Sequence, residues 1–150
     1  MDALTGILNT IKALSQRISR LEAQSTPHWH YLQAPLTAAA WEGTTHSDTA
    51  KTLIDLSAVF AVPAGVKVVL VEVAIQDIDS TGPDDNCITL GPTNAAGVGT
   101  TVRSKGRYDN DLECHQRIVP CDTNGDIYYE VAASGVLSLT AWIRIWGYEL

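Results

Sequence analysis

The stretch VKVVLVEVAIQ, residues 66–76, decides the fold class. Val69, Val71, Val73 and Ile75 share one side of an extended chain. Val66, Val68 and Leu70 share the other, which turns polar at Glu72 and Gln76. Side chains branched at Cβ pack well on a pleated surface and lose rotamer freedom in a helix. The run therefore predicts a strand buried on both faces at its start and on one face at its end. Val62-Pro63-Ala64-Gly65 just before it reads as a turn.

Working outward, Thr52, Ile54 and Leu56 alternate with Leu53, Asp55 and Ser57, which predicts another strand. Residues 79–86 hold Gly, Pro and acids and read as an exposed loop. Residues 87–90 read as a short strand, and 91–99 as a Gly/Asn/Pro loop. Residues 98–104 and 113–119 are predicted strands around a polar tip at 105–111. Residues 117–121 and 127–131 resemble a hairpin, with Asn124-Gly125 supplying the positive φ of a tight turn. At 136–148 the alternation is clean: Leu137, Leu139, Ala141, Ile143 and Ile145 face one way, and Ser138, Thr140, Trp142, Arg144 and Trp146 the other. About seven or eight short strands without intervening helical periods predict an antiparallel β-sandwich or jelly roll over residues 27–150.

Residues 1–26 have a different period. Leu4, Ile7, Ile11, Leu14, Ile18 and Leu21 are spaced by 3, 4, 3, 4 and 3 residues, the a/d repeat of a coiled-coil seam. Asp2 suits the helix start, and Pro27 disfavours helix in the residue before it, setting the end near residues 24–26. Arg17 and Glu22 bracket Ile18 and Leu21 in a trimer-favouring pattern, Arg-apolar-x-x-apolar-Glu, in which the Arg at g and the Glu at e pair between helices. A lone helix of this length is marginal in water, so its stripe needs cover, from the chain's own domain or from copies of itself. The narrow a/d stripe favours copies, and the expected assembly is a parallel homotrimer with further contacts from the body.

Composition bounds the rest. The 150 residues are 45% hydrophobic and 18% charged, which argues against wholesale disorder. No apolar run approaches the roughly 20 residues of a membrane span, and no secretory leader is expected. The net charge is −7 with a pI near 4.8. Asp2 and Glu22 against Lys12, Arg17 and Arg20 leave residues 1–30 at +1 and the remainder at −8. An acidic body repels phosphate backbones, so no nucleic-acid partner is expected. Three cysteines, Cys87, Cys114 and Cys121, are too few for a disulfide scaffold and are expected reduced.

Candidate chemistry is sparse. His28 and His30 could share a side of an extended segment, but they lack further ligands nearby and read as a polar linker, with Trp29 packing beneath the β-domain near a three-fold axis. Asp122, Asn124, Gly125 and Asp126 resemble part of a calcium loop, yet Ala133 stands where a bidentate Glu is needed. Turn chemistry accounts for the same residues, and no cofactor is expected. Asp77, Asp79, Asp84 and Asp85 read as a solvated acidic loop, and Asp109 and Asp111 likewise. His46-Ser47-Asp48 are adjacent, whereas catalytic triads are assembled from distant segments. No nucleophile elbow, zinc-protease helix or phosphate loop occurs, so the chain is not expected to be an enzyme. A paired-carboxylate glycosidase is the catalytic alternative, and loss of turnover on changing one carboxylate would reveal it. Trp142, Arg144 and Trp146 form a contact surface, read either as a sugar platform or as a face buried between symmetry mates.

The heptads at Leu4–Leu21, the segment running from Thr52-Leu53-Ile54-Asp55-Leu56 through Val62-Pro63-Ala64-Gly65-Val66, and the ending Trp142-Ile143-Arg144-Ile145-Trp146-Gly147-Tyr148 together resemble small trimeric virion appendages of tailed bacteriophages. That resemblance implies a non-enzymatic structural protein of the virion, assembled in the host cytoplasm. The coiled coil would attach it, and a β-domain would point outward. A short tail fibre is the leading reading. Its outer loops at 79–86, 91–99 and 105–111 would touch host glycan or another virion protein. A capsid decoration protein and a cellular carbohydrate-binding module are the alternatives.

Overall fold

The computed structural model describes residues 3–25, 28–78, 86–104, 110–133 and 135–150. Helix α1 (Ala3–Ser25) is followed by strands β1 (Trp29–Leu36), β2 (Glu42–His46) and β3 (Thr49–Ile54), with a 3-10 turn at Ala39–Trp41. The one-turn helix α2 (Leu56–Phe60) comes next, then β4 (Val68–Asp77), β5 (Asn86–Gly91), β6 (Thr100–Ser104), β7 (Leu112–Pro120), β8 (Ile127–Ala132) and β9 (Leu139–Glu149). All strand pairs are antiparallel.

Two sheets pack face to face. One has the order β1-β9-β4-β7, with β2 also paired to β9; the other has the order β3-β8-β5-β6. From β2 onward the strands alternate between the sheets as in a jelly roll, except for the β5–β6 hairpin, so most neighbours in space are far apart in sequence. The chain is mainly β, an antiparallel sandwich preceded by one long helix. Val69, Val71, Val73 and Ile75 of β4 and Leu139, Ala141, Ile143 and Ile145 of β9 are fully buried. They meet Ile88, Leu90, Val102, Ile127 and Val131 of the facing sheet. The opposite side of β4 is half-exposed at Val68 and Leu70, so the two-sided burial expected at the start of the strand is not found there.

Several expectations are corrected. Residues 117–131 do not form a hairpin, because β7 pairs with β4 and β8 pairs with β3 and β5 in the other sheet. The intervening turn crosses between sheets. Asp122 Oδ1 accepts from the backbone N–H of Asn124 (2.8 Å) and Asp126 (2.9 Å), and Gly125 has φ +91°. A Cβ at Gly125 would lie 2.9 Å from the Gly65 nitrogen, so close approach of two turns demands glycine. Leu56 starts α2 and does not extend β3. Asp55 Oδ1 accepts from Ala58 N–H (2.9 Å) and Ser57 Oγ (2.8 Å), capping the helix where alternation would continue a strand. Residues 28–30 do not form a linker: Trp29 and His30 open β1. Asp77 is fully buried and is no part of a solvated cluster. Asp79, Asp84, Asp85 and Asp109 lie outside the described residues. Leu137 precedes β9 at φ +53° and is exposed.

The sandwich has two distinct ends. β1 begins at Trp29 opposite Glu149, and Val68 lies opposite both Glu149 and Pro120, so this is the end next to α1. Lys67 N–H donates to Glu149 O, and Cys121 N–H to Lys67 O, tying the 122–126 turn to the same end. At the far end Asp77 lies opposite Leu139 and Ile78 N–H donates to Ser138 O. The strands flanking residues 79–85 and 105–109 close there. Residues 91–99 instead join β5 to β6 at the end next to α1, where Pro92, Thr93 and Asn94 border Lys67 and Asp122; residues 79–85 and 105–109 of the other two expected contact loops lie outside the described residues.

Candidate functional site

Every residue from Gly6 to Arg20 of α1 is exposed. Ile7, Ile11, Leu14 and Ile18 stand 50–58% exposed in a row, with Leu8 beside them. Aligned on one face at a/d spacing, they form an apolar seam that the sandwich does not cover. Arg17 lies beside the seam in solvent. Leu4, Leu21 and Glu22 belong to the same helix, and their side chains lie outside those described. The backbone of α1 runs about 34 Å at 1.5 Å per residue. An exposed helix this short with an uncovered apolar stripe is poorly stable as a solitary object.

Trp142, Arg144 and Trp146 are brought together on the outer face of the five-stranded sheet, each half-buried. Arg144 is committed to carboxylates. Its Nε and Nη2 donate to Glu42 Oε1 (2.9 Å) and Oε2 (2.8 Å), and Nη1 donates to Glu72 Oε1 (3.2 Å). The indole N–H of Trp146 donates to the other oxygen of Glu72 at 3.1 Å. The bidentate hydrogen bonds from Arg144 hold Glu42 below the usual carboxylate range, and the same bonds raise the guanidinium further. Trp142 lies over Gly43, which has φ +77°; a Cβ there would come within 3.1 Å of the indole nitrogen. The sequence predicts the alternation but not the two glutamates, contributed by β2 and β4 from 102 and 72 residues away. With its charges paired and its indoles half-covered, this face offers apolar contact area more than open hydrogen-bonding positions.

The register extends the face into an apolar row near α1. Tyr31 and Leu70 both lie opposite Gly147, and Leu70 lies opposite Ile118. Tyr31 is 74% and Ile118 60% exposed. Trp29 stacks on Tyr31 with centroids 6.0 Å apart. The outer side of the four-stranded sheet differs in chemistry. It carries Thr89 and Thr101, whose hydroxyls share a hydrogen bond of 2.9 Å, and Arg103 and Glu130 around a hollow of about 210 Å³.

A third feature escapes sequence reasoning. Buried Trp41 is stacked by His46 (4.9 Å) and met edge-on by Tyr129 (4.8 Å). Around them a cavity of about 250 Å³ opens between Leu53, Ile54 and Val59. His46 shares a hydrogen bond with Thr44 Oγ1 (3.1 Å), and burial pushes its imidazole below the ordinary value. Ser47 Oγ accepts from Leu137 N–H and Asp48 Oδ1 from Ala133 N–H, so the two residues after His46 anchor the segment before β9. His30 stacks on Tyr148. Asp122 and Asp126 direct carboxylate oxygens to backbone N–H groups, that of Asp126 to Leu56 at 2.9 Å. Cys87, Cys114 and Cys121 are unpaired, and burial lifts the Cys121 thiol to about 12.

No family model matches the chain, and no curated protein is similar to it in sequence. Among solved structures, the coat protein of Tobacco streak virus superposes with a TM-score of 0.46 at 8% identity, covering 84% of this chain and 88% of that one.

Proposed function

We propose that the chain is a homotrimeric structural protein of a virion, a short fibre-like appendage of the tailed-phage type. It attaches through α1 and displays the sandwich. The observation that carries this reading is the uncovered seam Ile7, Ile11, Leu14 and Ile18, which the protein's own body leaves in water. Apolar residues at 3.5-residue spacing gain burial by knobs-into-holes packing against identical helices, and a mix of Ile and Leu at a and d with an Arg/Glu bracket fits three strands better than two. The far end of each sandwich, where β4 ends opposite the start of β9, then points away from the attachment helix and meets host surface or a neighbouring virion protein.

The deciding experiment is imaging of intact particles carrying a tagged copy of this chain. Density for three copies projecting from a tail supports the fibre. Density flush over a three-fold position of the head replaces it with a decoration protein. Absence from particles removes the virion reading. Sugar binding retained by residues 27–150 alone would transfer the function to a carbohydrate-binding module.

A further inference from the structure

The geometry points to a second contact between the same three copies: the outer face of the five-stranded sheet turns toward the axis, with the β1 edge of one copy packed on the β7 edge of the next. This rests on the trimeric reading above. A durable interface engages about 20–30 residues a side, and a seam with six a and d positions supplies only part of that. The missing contact has to lie close to the seam. Trp29 follows Ser25 by four Cα steps, at most about 15 Å, so β1 begins beside the last turn of α1 and cannot leave the axis region.

The two outer faces then compete for the inward position, and their chemistry differs. The five-stranded face presents Trp29, Tyr31, Leu70 and Ile118 near α1, with its central charges already paired at Glu42–Arg144–Glu72. Burying that face strands few ions. The four-stranded face is the more polar, with Thr89, Thr101, Arg103 and Glu130 around its hollow, so covering it would take more polar side chains out of contact with water. A three-fold axis also requires a head-to-tail interface, so each copy must offer two different patches. The apolar row supplies them: exposed Tyr31 with half-buried Trp29 at the β1 edge and exposed Ile118 at the β7 edge, on opposite edges of one sheet.

The test is cross-linking of full-length Cys114→Ser protein carrying Tyr31→Cys and Ile118→Cys. Within one chain these positions lie three strand spacings apart, about 14 Å, too far for a disulfide. Oxidation is expected to yield covalent trimers on a denaturing gel, whereas each single cysteine yields none. In parallel, Tyr31→Glu and Ile118→Glu should raise the trimer's dissociation concentration at least about thirtyfold. Val136→Glu, at a still more exposed apolar position at the far end, should leave it unchanged. Both native side chains are solvent-exposed, so the monomer fold is retained. A wild-type trimer with no cross-linking and unshifted dissociation overturns the inference alone. A wild-type monomer overturns the trimeric reading together with it.

Discussion

Burial depresses the pKa of His46, and the sign of its contribution to stability follows. The unfolded chain takes up a proton near pH 6.5, while the folded chain resists it. Stability contributed by neutral His46 is complete above pH 6.5 and is lost as pH falls toward the depressed folded value. His46→Phe keeps a ring on Trp41 and removes the titration. Urea unfolding at pH 7.5 and pH 5.5 should show wild type losing more stability than the variant; equal losses would exclude the mechanism. Gly43 gives a second expectation at this scale. At φ +77° beneath the Trp142 indole, Gly43→Ala meets both backbone strain and a 3.1 Å contact, and should cost about 1–3 kcal/mol by denaturant titration. A neutral substitution would mean that Trp142 is free to move away.

At the scale of elements, α1 is bounded by rules visible in the sequence, and the seam spacing places Ile7, Ile11, Leu14 and Ile18 on one face as expected. A synthetic peptide of residues 1–26 should gain helical circular dichroism over a roughly hundredfold rise in concentration, because association drives its folding. Helicity independent of concentration would deny self-association. β4 and β9 were equally legible, since a strand buried on one face imposes period two on its sequence. β1 was not: the segment WHYLQAPL carries no clean alternation, because Trp29 and Tyr31 stay on the outer face and a register shift falls between Tyr31 and Leu36. α2 is hidden by the alternation of residues 52–57, which continues through the local cap that Asp55 makes to Ser57 and Ala58; the Asp126 carboxylate that takes Leu56 N–H comes from 70 residues away.

For the whole molecule, pattern reading reached the sandwich but not which strands share a sheet. Asn124-Gly125 carries a local turn signal that is the same whether the chain folds back within a sheet or crosses to the other one. Long-range pairing decides between them. The same holds for the contact surface: the sequence aligned Trp142, Arg144 and Trp146, while Glu42 and Glu72, which settle what Arg144 does, arrive only through β2 and β4. The central claim concerns assembly, and molar mass from light scattering of the full chain at neutral pH tests it most directly. The expected value is three times the 16.2 kDa of one chain, falling to a single chain's mass when Ile11→Asn and Ile18→Asn are combined. A stable mass of one chain in the unmodified protein, at concentrations of about 100 μM, would contradict it.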